Sequence, residues 1–354
     1  MKYIFIFTQT LKSGGAEKQA VILANALCEN YKVFLIVFYG NRFDAKIVDQ
    51  INKKVQIIKL YGNVFIKIKI IIQVLYKNRP NFLFNYLLLP NFLGGLIAKF
   101  LKNTKSIGGI RSSVLDKKKV LLNKIAHNII NHYTIFNNYT GKEKCTRLGF
   151  KESKAIVIPN GINLPQQITL RSNNPFPVII SVGRFEEVKD YNAALKSILE
   201  LKNRGLDFNY WMVGWGNKEV EIKDTVIKYK LEEIVEIFIN PNNLTELYQK
   251  ADIYLQTSLF EGLSNTVMEA MSYSLPCVVT NVGDNNRLII DKKTGFLCDV
   301  RDFKNMSKKL EILISNYDLR ISLGEKGYNH VKENYSTEKL RTNYINLIHS
   351  LSEK

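Results

Sequence analysis

The sequence predicts an α/β protein made of two doubly wound domains, and three observations carry that reading. Short apolar runs alternate with helix-period segments along the chain, as parallel strands covered on both faces by helices require. The 354 residues exceed what one hydrophobic core usually serves. A break at Ile158-Pro159-Asn160-Gly161, followed by a polar stretch to Pro177, interrupts the alternation near mid-chain. The expected division is a basic domain over 1–165, a second domain over 166–335, and a helix over 336–354 packing back on the first.

Taken in order, Tyr3–Phe7 is a buried strand, because its apolar run stops at Thr8-Gln9-Thr10, too soon for a signal peptide. Gly14-Gly15 forms a tight loop and Ala16–Cys28 a helix. Strands follow at Lys32–Phe38, Phe82–Tyr86 and Ser106–Ile110, then a helix at Lys119–His132 and a strand at Tyr133–Phe136. The stretch from Asn81 to Leu101 is apolar but holds Pro90, three asparagines and Lys99, so it reads as strand, turn and helix rather than a membrane span. The second half gives strands at Val178–Val182, Tyr210–Val213, Val235–Phe238, Ile253–Leu255 and Cys277–Val279. Helices start near Tyr191 and Thr266, and Ser336–Ser350 closes the pattern.

Composition narrows the classes. With 46% apolar residues a packed core is expected. Cys28, Cys145, Cys277 and Cys298 form no CxxC pair and read as free thiols of a reducing compartment. Four histidines without an HExxH pattern argue against a catalytic zinc site. Charge is uneven: up to Pro165 there are 26 Lys and Arg against 7 Asp and Glu, a formal +19, and from Gln166 on 24 against 25. The first half therefore meets something anionic, nucleic acid or anionic lipid. Two segments suit a membrane surface: Val64–Lys77, apolar with lysines on its polar side, and Lys117-Lys118-Lys119 leading into Leu121, Leu122, Ile125 and Ile129 on one face. An ordinary core-facing helix with a solvated edge explains either one singly.

Three loops carry candidate chemistry. Ser258-Leu259-Phe260-Glu261-Gly262-Leu263-Ser264-Asn265 runs from a strand into a helix, offering backbone N–H groups and a helix dipole to a phosphate. Glu261 and Glu269 suit sugar and ribose hydroxyls, which donate to carboxylates. A capping box, Thr266-x-x-Glu269, explains Glu269 equally well, and Glu261 as a solvated loop residue stays open. In Gly183-Arg184-Phe185-Glu186-Glu187-Val188-Lys189, the guanidinium and the ammonium make a diphosphate clamp, against the alternative of a surface salt bridge from Arg184 to Glu186 or Glu187. Gly14-Gly15 and Gly214-Trp215-Gly216 permit close backbone approach to a ligand or are simple turns. No GxGxxG or GK[ST] motif is present.

Together these residues resemble glycosyltransferase family 4, the retaining group with the GT-B fold. The resemblance covers nearly the whole chain: Gly14-Gly15-Ala16-Glu17, Pro159-Asn160-Gly161-Ile162, Val182-Gly183-Arg184 with Lys189, Glu261-x7-Glu269, Pro276 and Thr294-Gly295-Phe296-Leu297. It implies two Rossmann-like domains facing across a cleft and a retaining, metal-independent hexosyl transfer of the surface-polysaccharide or lipid-linked glycan type. The donor is a nucleoside-diphosphate sugar, UDP-sugar ahead of GDP-sugar, with no cofactor. Arg184 and Lys189 would hold the diphosphate, Glu261 the transferred sugar, the backbone of Gly262, Leu263, Ser264 and Asn265 the sugar and phosphates, and Glu269 the ribose. Gly14, Gly15, Gly183, Gly214 and Asn240 would line the donor site.

Two positions depart from the family pattern. The region where relatives carry a His reads Gly108-Gly109-Ile110-Arg111-Ser112-Ser113, so Arg111 is assigned to the acceptor. Arg287 stands where an acidic residue is common. The expected partners are a lipid-linked saccharide acceptor and an anionic membrane surface met by the first domain, with no nucleic acid, at the cytoplasmic face of the plasma membrane. A nucleotide-sugar epimerase or hydrolase on this fold, a non-enzymatic basic membrane- or nucleic-acid-binding protein and a silent interaction domain are the rivals.

Overall fold

The computed structural model describes residues 2–12, 14–111, 117–167 and 171–353. Of the features named above, Ser112, Ser113, the Lys117 and Lys118 side chains and part of the polar stretch before Pro177 lie outside the described residues. The chain divides into two units, Met1–Asn163 with Ser336–Lys354, and Leu164–Tyr335.

In the first unit the elements are β1 (Tyr3–Thr8), α1 (Gly15–Leu27), β2 (Lys32–Val37), α2 (Ala45–Val48), β3 (Gln56–Lys59), α3 (Val64–Asn78), β4 (Phe82–Asn85), α4 (Leu88–Ala98), β5 (Lys105–Ile110), α5 (Lys117–Ile125), β6 (Tyr133–Phe136), α6 (Tyr139–Arg147) and β7 (Ala155–Val157). The second unit has β8 (Val178–Val182), α7 (Tyr191–Asn203), β9 (Asn209–Gly214), α8 (Glu219–Lys228), β10 (Val235–Ile239), α9 (Leu244–Lys250), β11 (Ile253–Gln256), α10 (Asn265–Ser272), β12 (Cys277–Thr280), α11 (Asn285–Leu288), β13 (Gly295–Cys298), α12 (Phe303–Ser315) and α13 (Tyr317–Tyr335). The chain then returns to the first unit as α14 (Thr337–Ser352).

Both sheets are parallel and wound in the same order. The first runs β3-β2-β1-β4-β5-β6-β7 and the second β10-β9-β8-β11-β12-β13. Central strands are apolar on both faces because helices cover both: Ile4, Phe5, Ile6 and Phe7 in β1, and Ile253, Tyr254 and Leu255 in β11, are fully buried. Each order reverses beside its first strand, between β1 and β4 and between β8 and β11, and in such sheets a crevice opens there at the carboxyl ends of the strands.

The Pro159-Asn160-Gly161 break is no loose linker. Gln19 of α1 donates to the Gly161 carbonyl (2.7 Å) and accepts from its N–H (3.0 Å), while a Cβ on Gly161 would stand 2.9 Å from Leu340 of α14. Leu340, Tyr344, Ile348 and Leu351 of α14 join the core built on β1, β2 and α1.

Two helices differ from the sequence reading. In α3 the expected polar side is partly inverted. Lys67 is 7% exposed, its ammonium 5.0 Å from the Phe38 ring and 4.6 Å from that of Tyr39, whereas Phe65 is 83% exposed. The aromatic faces compensate the ammonium for lost water, so the helix docks on a lysine and leaves phenylalanine in solvent. The helix expected to run to His132 ends as α5, and Ala126–Ile130 continue as a π-helical turn. That wider turn buries His127, which meets the Lys151 carbonyl at 2.9 Å, and leaves Ile129 outside.

Candidate active site at the β8 and β11 strand ends

The second unit gathers most of the candidate residues around its switch point. β8 ends at Val182 and β11 at Gln256, and the loop that follows each carries one member of an ion pair. Lys189 Nζ stands 2.6 Å from Glu261 Oε1, and the same oxygen accepts from Ser258 Oγ at 2.8 Å. The two side chains are 19% and 13% exposed, so water screens this pair far less than a surface pair.

Backbone ties hold the two loops in register. Thr257 Oγ1 donates within 2.9 Å of the Lys189 and Asp190 carbonyls, and Leu259 N–H donates to the Val188 carbonyl (2.8 Å). Asp190 has a left-handed backbone (φ 45°) and caps α7 by accepting from Ala193 N–H (3.3 Å). A non-glycine residue pays for that conformation, and here it turns the chain just after Lys189.

A buried amide network supports the Glu261 loop from beneath. Asn285 Nδ2 donates to Gln256 Oε1 (2.8 Å) and to the Thr280 carbonyl (2.9 Å). Gln256 Nε2 donates to Ser264 Oγ (2.8 Å), and Thr280 Oγ1 donates to the Ser258 carbonyl (2.7 Å). Above it Gly283, at φ 57°, brings its backbone against the loop: a Cβ there would lie 2.3 Å from the Glu261 carbonyl oxygen. Asp284 N–H donates to the Gly262 carbonyl (2.9 Å).

Glu269 does not serve a capping box. α10 starts at Asn265 after Ser264, which makes no side-chain cap, and Thr266 instead accepts from the Tyr254 hydroxyl (2.8 Å). The Glu269 carboxylate accepts from Tyr248 OH at 3.2 Å. Burial pushes the Tyr248 and Tyr254 phenols well above their usual range, so both remain O–H donors.

The glycines pack as close approaches. A Cβ on Gly214 would sit 1.9 Å from the Gly183 carbonyl oxygen, and one on Gly183 would stand 3.4 Å from Lys189 Cε. Asn240, left-handed at φ 45°, donates its N–H to the Gly214 carbonyl (3.0 Å) and so joins the same strand ends. Leu263 and Ser264 are buried. Arg184 stands apart from the ion pair: it is 60% exposed and salt-bridged to Glu186 at 2.7 Å, while Glu187 pairs with Lys218.

In the first unit, Gly14 and Gly15 open α1, and Glu17 folds back over them. Thr10 Oγ1 donates to Glu17 Oε1 (2.8 Å), and a Cβ on Gly14 would meet Glu17 Oε2 at 2.3 Å. Arg111 is enclosed by its own unit, donating to Asn160 Oδ1 (3.0 Å) and Tyr344 OH (3.2 Å) with its guanidinium 4.3 Å from the Tyr86 ring centre. Sequence reasoning missed Tyr248, Thr257 and Gly283, which touch candidate residues without carrying a motif of their own, and Asn285, which braces the Glu261 loop through Gln256 and Thr280. The one available signal was the pair Gly283-Asp284 following strand β12.

Among the described residues no group of three or more His, Cys, Asp or Glu side chains could hold a metal, and no helix is long and apolar enough to cross a membrane. All four cysteines are buried free thiols.

Two Rossmann-like sheets, with paired charges at the switch point of the second, define a GT-B architecture. Solved structures agree on the fold: Anabaena HepE in complex with UDP superposes with a TM-score of 0.84 at 14% identity, covering 99% of this chain and 100% of that one. Residues 166–330 match the family model described as glycosyl transferases group 1. A glycosyltransferase of Haemophilus influenzae is 26% identical over 372 residues, 96% of this chain and 98% of the relative. A Campylobacter jejuni α-1,4-N-acetyl-D-galactosaminyltransferase, named for a diNAcBac-PP-undecaprenol-linked acceptor, is 23% identical over 98% of each chain. The second unit thus carries a group 1 glycosyltransferase domain, and the protein is a glycosyltransferase of that type, with relatives in surface-polysaccharide biosynthesis.

Proposed function

We propose that the protein transfers a hexosyl unit, with retention and without a metal, from a nucleoside-diphosphate sugar to a lipid-linked saccharide at the cytoplasmic membrane face. One observation carries the reading: the Lys189–Glu261 pair, tethered through Ser258 and Thr257 between the β8 and β11 strand ends. It sets a fixed cation where a diphosphate departs and a carboxylate where sugar hydroxyls donate. UDP-sugar is favoured over GDP-sugar, in keeping with the UDP and UDP-glucose bound to the Anabaena relative. The lipid-linked acceptor follows the Campylobacter relative.

In this reading the ammonium of Lys189, joined by Arg184 once it leaves Glu186, neutralises the growing charge on the leaving diphosphate. Glu261 orients the transferred sugar and Glu269, set by Tyr248, accepts from the ribose. The bond from the anomeric carbon to the β-phosphate oxygen breaks. The acceptor oxygen bonds to that carbon on the same face, and its proton passes to the departing phosphate oxygen. No protein nucleophile is required.

The test is transfer from a panel of UDP- and GDP-sugars to a polyprenyl-diphosphate saccharide, with the anomeric configuration read by NMR. Retained configuration without added metal supports the reading. Inverted product, or transfer abolished by a chelator, sinks it. Epimer or free sugar from donor alone, with no transfer, would favour the epimerase or hydrolase alternative.

A further inference from the structure

The first unit holds a cavity at the opposite ends of its strands from Arg111. It encloses about 340 Å³ and is lined by residues around the starts of β5 and β6, including Lys99, Lys105, Lys154, His132 and Ile129. Lys105 opens β5 and Arg111 follows its last residue, so the two lie roughly 20 Å apart at ~3.3 Å per residue.

The cavity is cationic, and among the described residues no carboxylate lines it. Two of its lysines are aimed by backbone carbonyls. Lys154 Nζ donates to the carbonyls of Asn128 (3.1 Å) and Asn131 (2.9 Å), and Lys105 Nζ to that of Leu351. Their charge is therefore oriented but not cancelled. Desolvation and the neighbouring Lys151 and Lys99 depress the Lys154 ammonium, and desolvation followed by Lys154, Lys105 and Lys99 depresses His132. Desolvation is the larger cause of both; the lysine contributions behind it are a positive potential that an anion would relieve. His132 Nδ1 accepts from Ser106 N–H at 3.2 Å, which leaves the proton of the neutral ring on Nε2 as a donor.

The rim supplies the second half of the chemistry. Phe100 is 76% exposed beside Lys99, and Ile129 is 62% exposed on the π-helical turn. Large apolar side chains standing in solvent around a cationic cavity match the boundary between headgroups and acyl chains. We infer that this cavity binds the phosphate of an anionic lipid headgroup, with Phe100 and Ile129 entering the apolar layer beneath it. The inference rests on the membrane part of the function proposed above and adds a specific headgroup site to it.

The experiment uses the full chain and vesicles of phosphatidylcholine with or without phosphatidylglycerol, read by flotation at low salt. Lys99→Gln and the double variant Phe100→Ser/Ile129→Ser change exposed side chains, so melting temperatures should stay at the parental value. Lys154→Gln, which also loses carbonyl contacts, serves as a second charge variant. The expected result is binding only to phosphatidylglycerol vesicles, weakened about fivefold for each lysine removed, the size of one cation at an anionic surface. Parental protein that ignores these vesicles overturns the headgroup site and the membrane reading together. Parental protein that binds, with all variants binding equally well, overturns the headgroup site alone. Thermal stabilisation by inorganic phosphate that Lys99→Gln abolishes, without vesicle binding, would make this a free-phosphate site and overturn the lipid assignment.

Discussion

The loops after β1 and β8 occupy the same station in two sheets of the same winding, yet they are built for different chemistry. After β8 the chain presents Lys189, pinned to Glu261 and braced by Thr257, Ser258 and Gly283. After β1 it presents Gly14 and Gly15 with the Glu17 carboxylate folded over them. That carboxylate already sits at the amino end of α1, where a phosphate would otherwise be drawn. The fold supplies a crevice in both places. Side chains decide which crevice suits an anion, and under the function proposed above the diphosphate goes to the second unit.

Six substitutions break or sharpen that comparison. Lys189→Ala and Glu261→Ala should each lower kcat by roughly 10²–10³-fold, the usual scale for a lost preorganised charge. Glu17→Ala should cost less than about tenfold, near one hydrogen bond. Steady-state kinetics with a saturating donor decide it, and equal losses at Glu17 and Lys189 would erase the distinction between the two loops. Next in size is Gly283→Ala, which forces a Cβ onto the Glu261 carbonyl at a left-handed φ and should destabilise by about 1–3 kcal/mol in a denaturant titration. Tyr248→Phe removes one donor from Glu269 and should raise the donor KM about fivefold, ~1 kcal/mol, with kcat little changed. Smallest is the stability effect of Arg184→Gln: its exposed pair with Glu186 is worth at most ~1 kcal/mol, so the melting temperature should move by no more than a few degrees while turnover falls.

How much of this was legible in the sequence depended on burial. β1, β4, β8 and β11 were readable because strands covered on both faces are continuous apolar runs. β3, with Gln56 and Ile57 exposed at the sheet edge, carries no such run, and β7 is a three-residue, half-buried edge strand running straight into the Pro159 break, so neither is read from the sequence. The Glu261-x7-Glu269 spacing pointed to the two carboxylates. Apart from Ser258 in the same loop, the groups that fix them come from distant segments, Lys189 and Gly283 for one and Tyr248 for the other, which only the folded chain brings near. Lys67 departs from its pattern for the opposite reason: a lysine in an apolar helix predicts the wet side, and two aromatic faces draw it inward.

The path of α14 has a consequence for synthesis. Residues 164–335 are contiguous, so that unit has every residue it needs while the ribosome is still at work. The other unit is made first but waits longest, because Leu340, Tyr344, Ile348 and Leu351 emerge after everything they pack against. Until they arrive, apolar side chains of β1, β2 and α1 stay uncovered and open to aggregation or chaperone capture. Premature termination between residues 336 and 339 would therefore leave the second unit whole and its companion without part of its core.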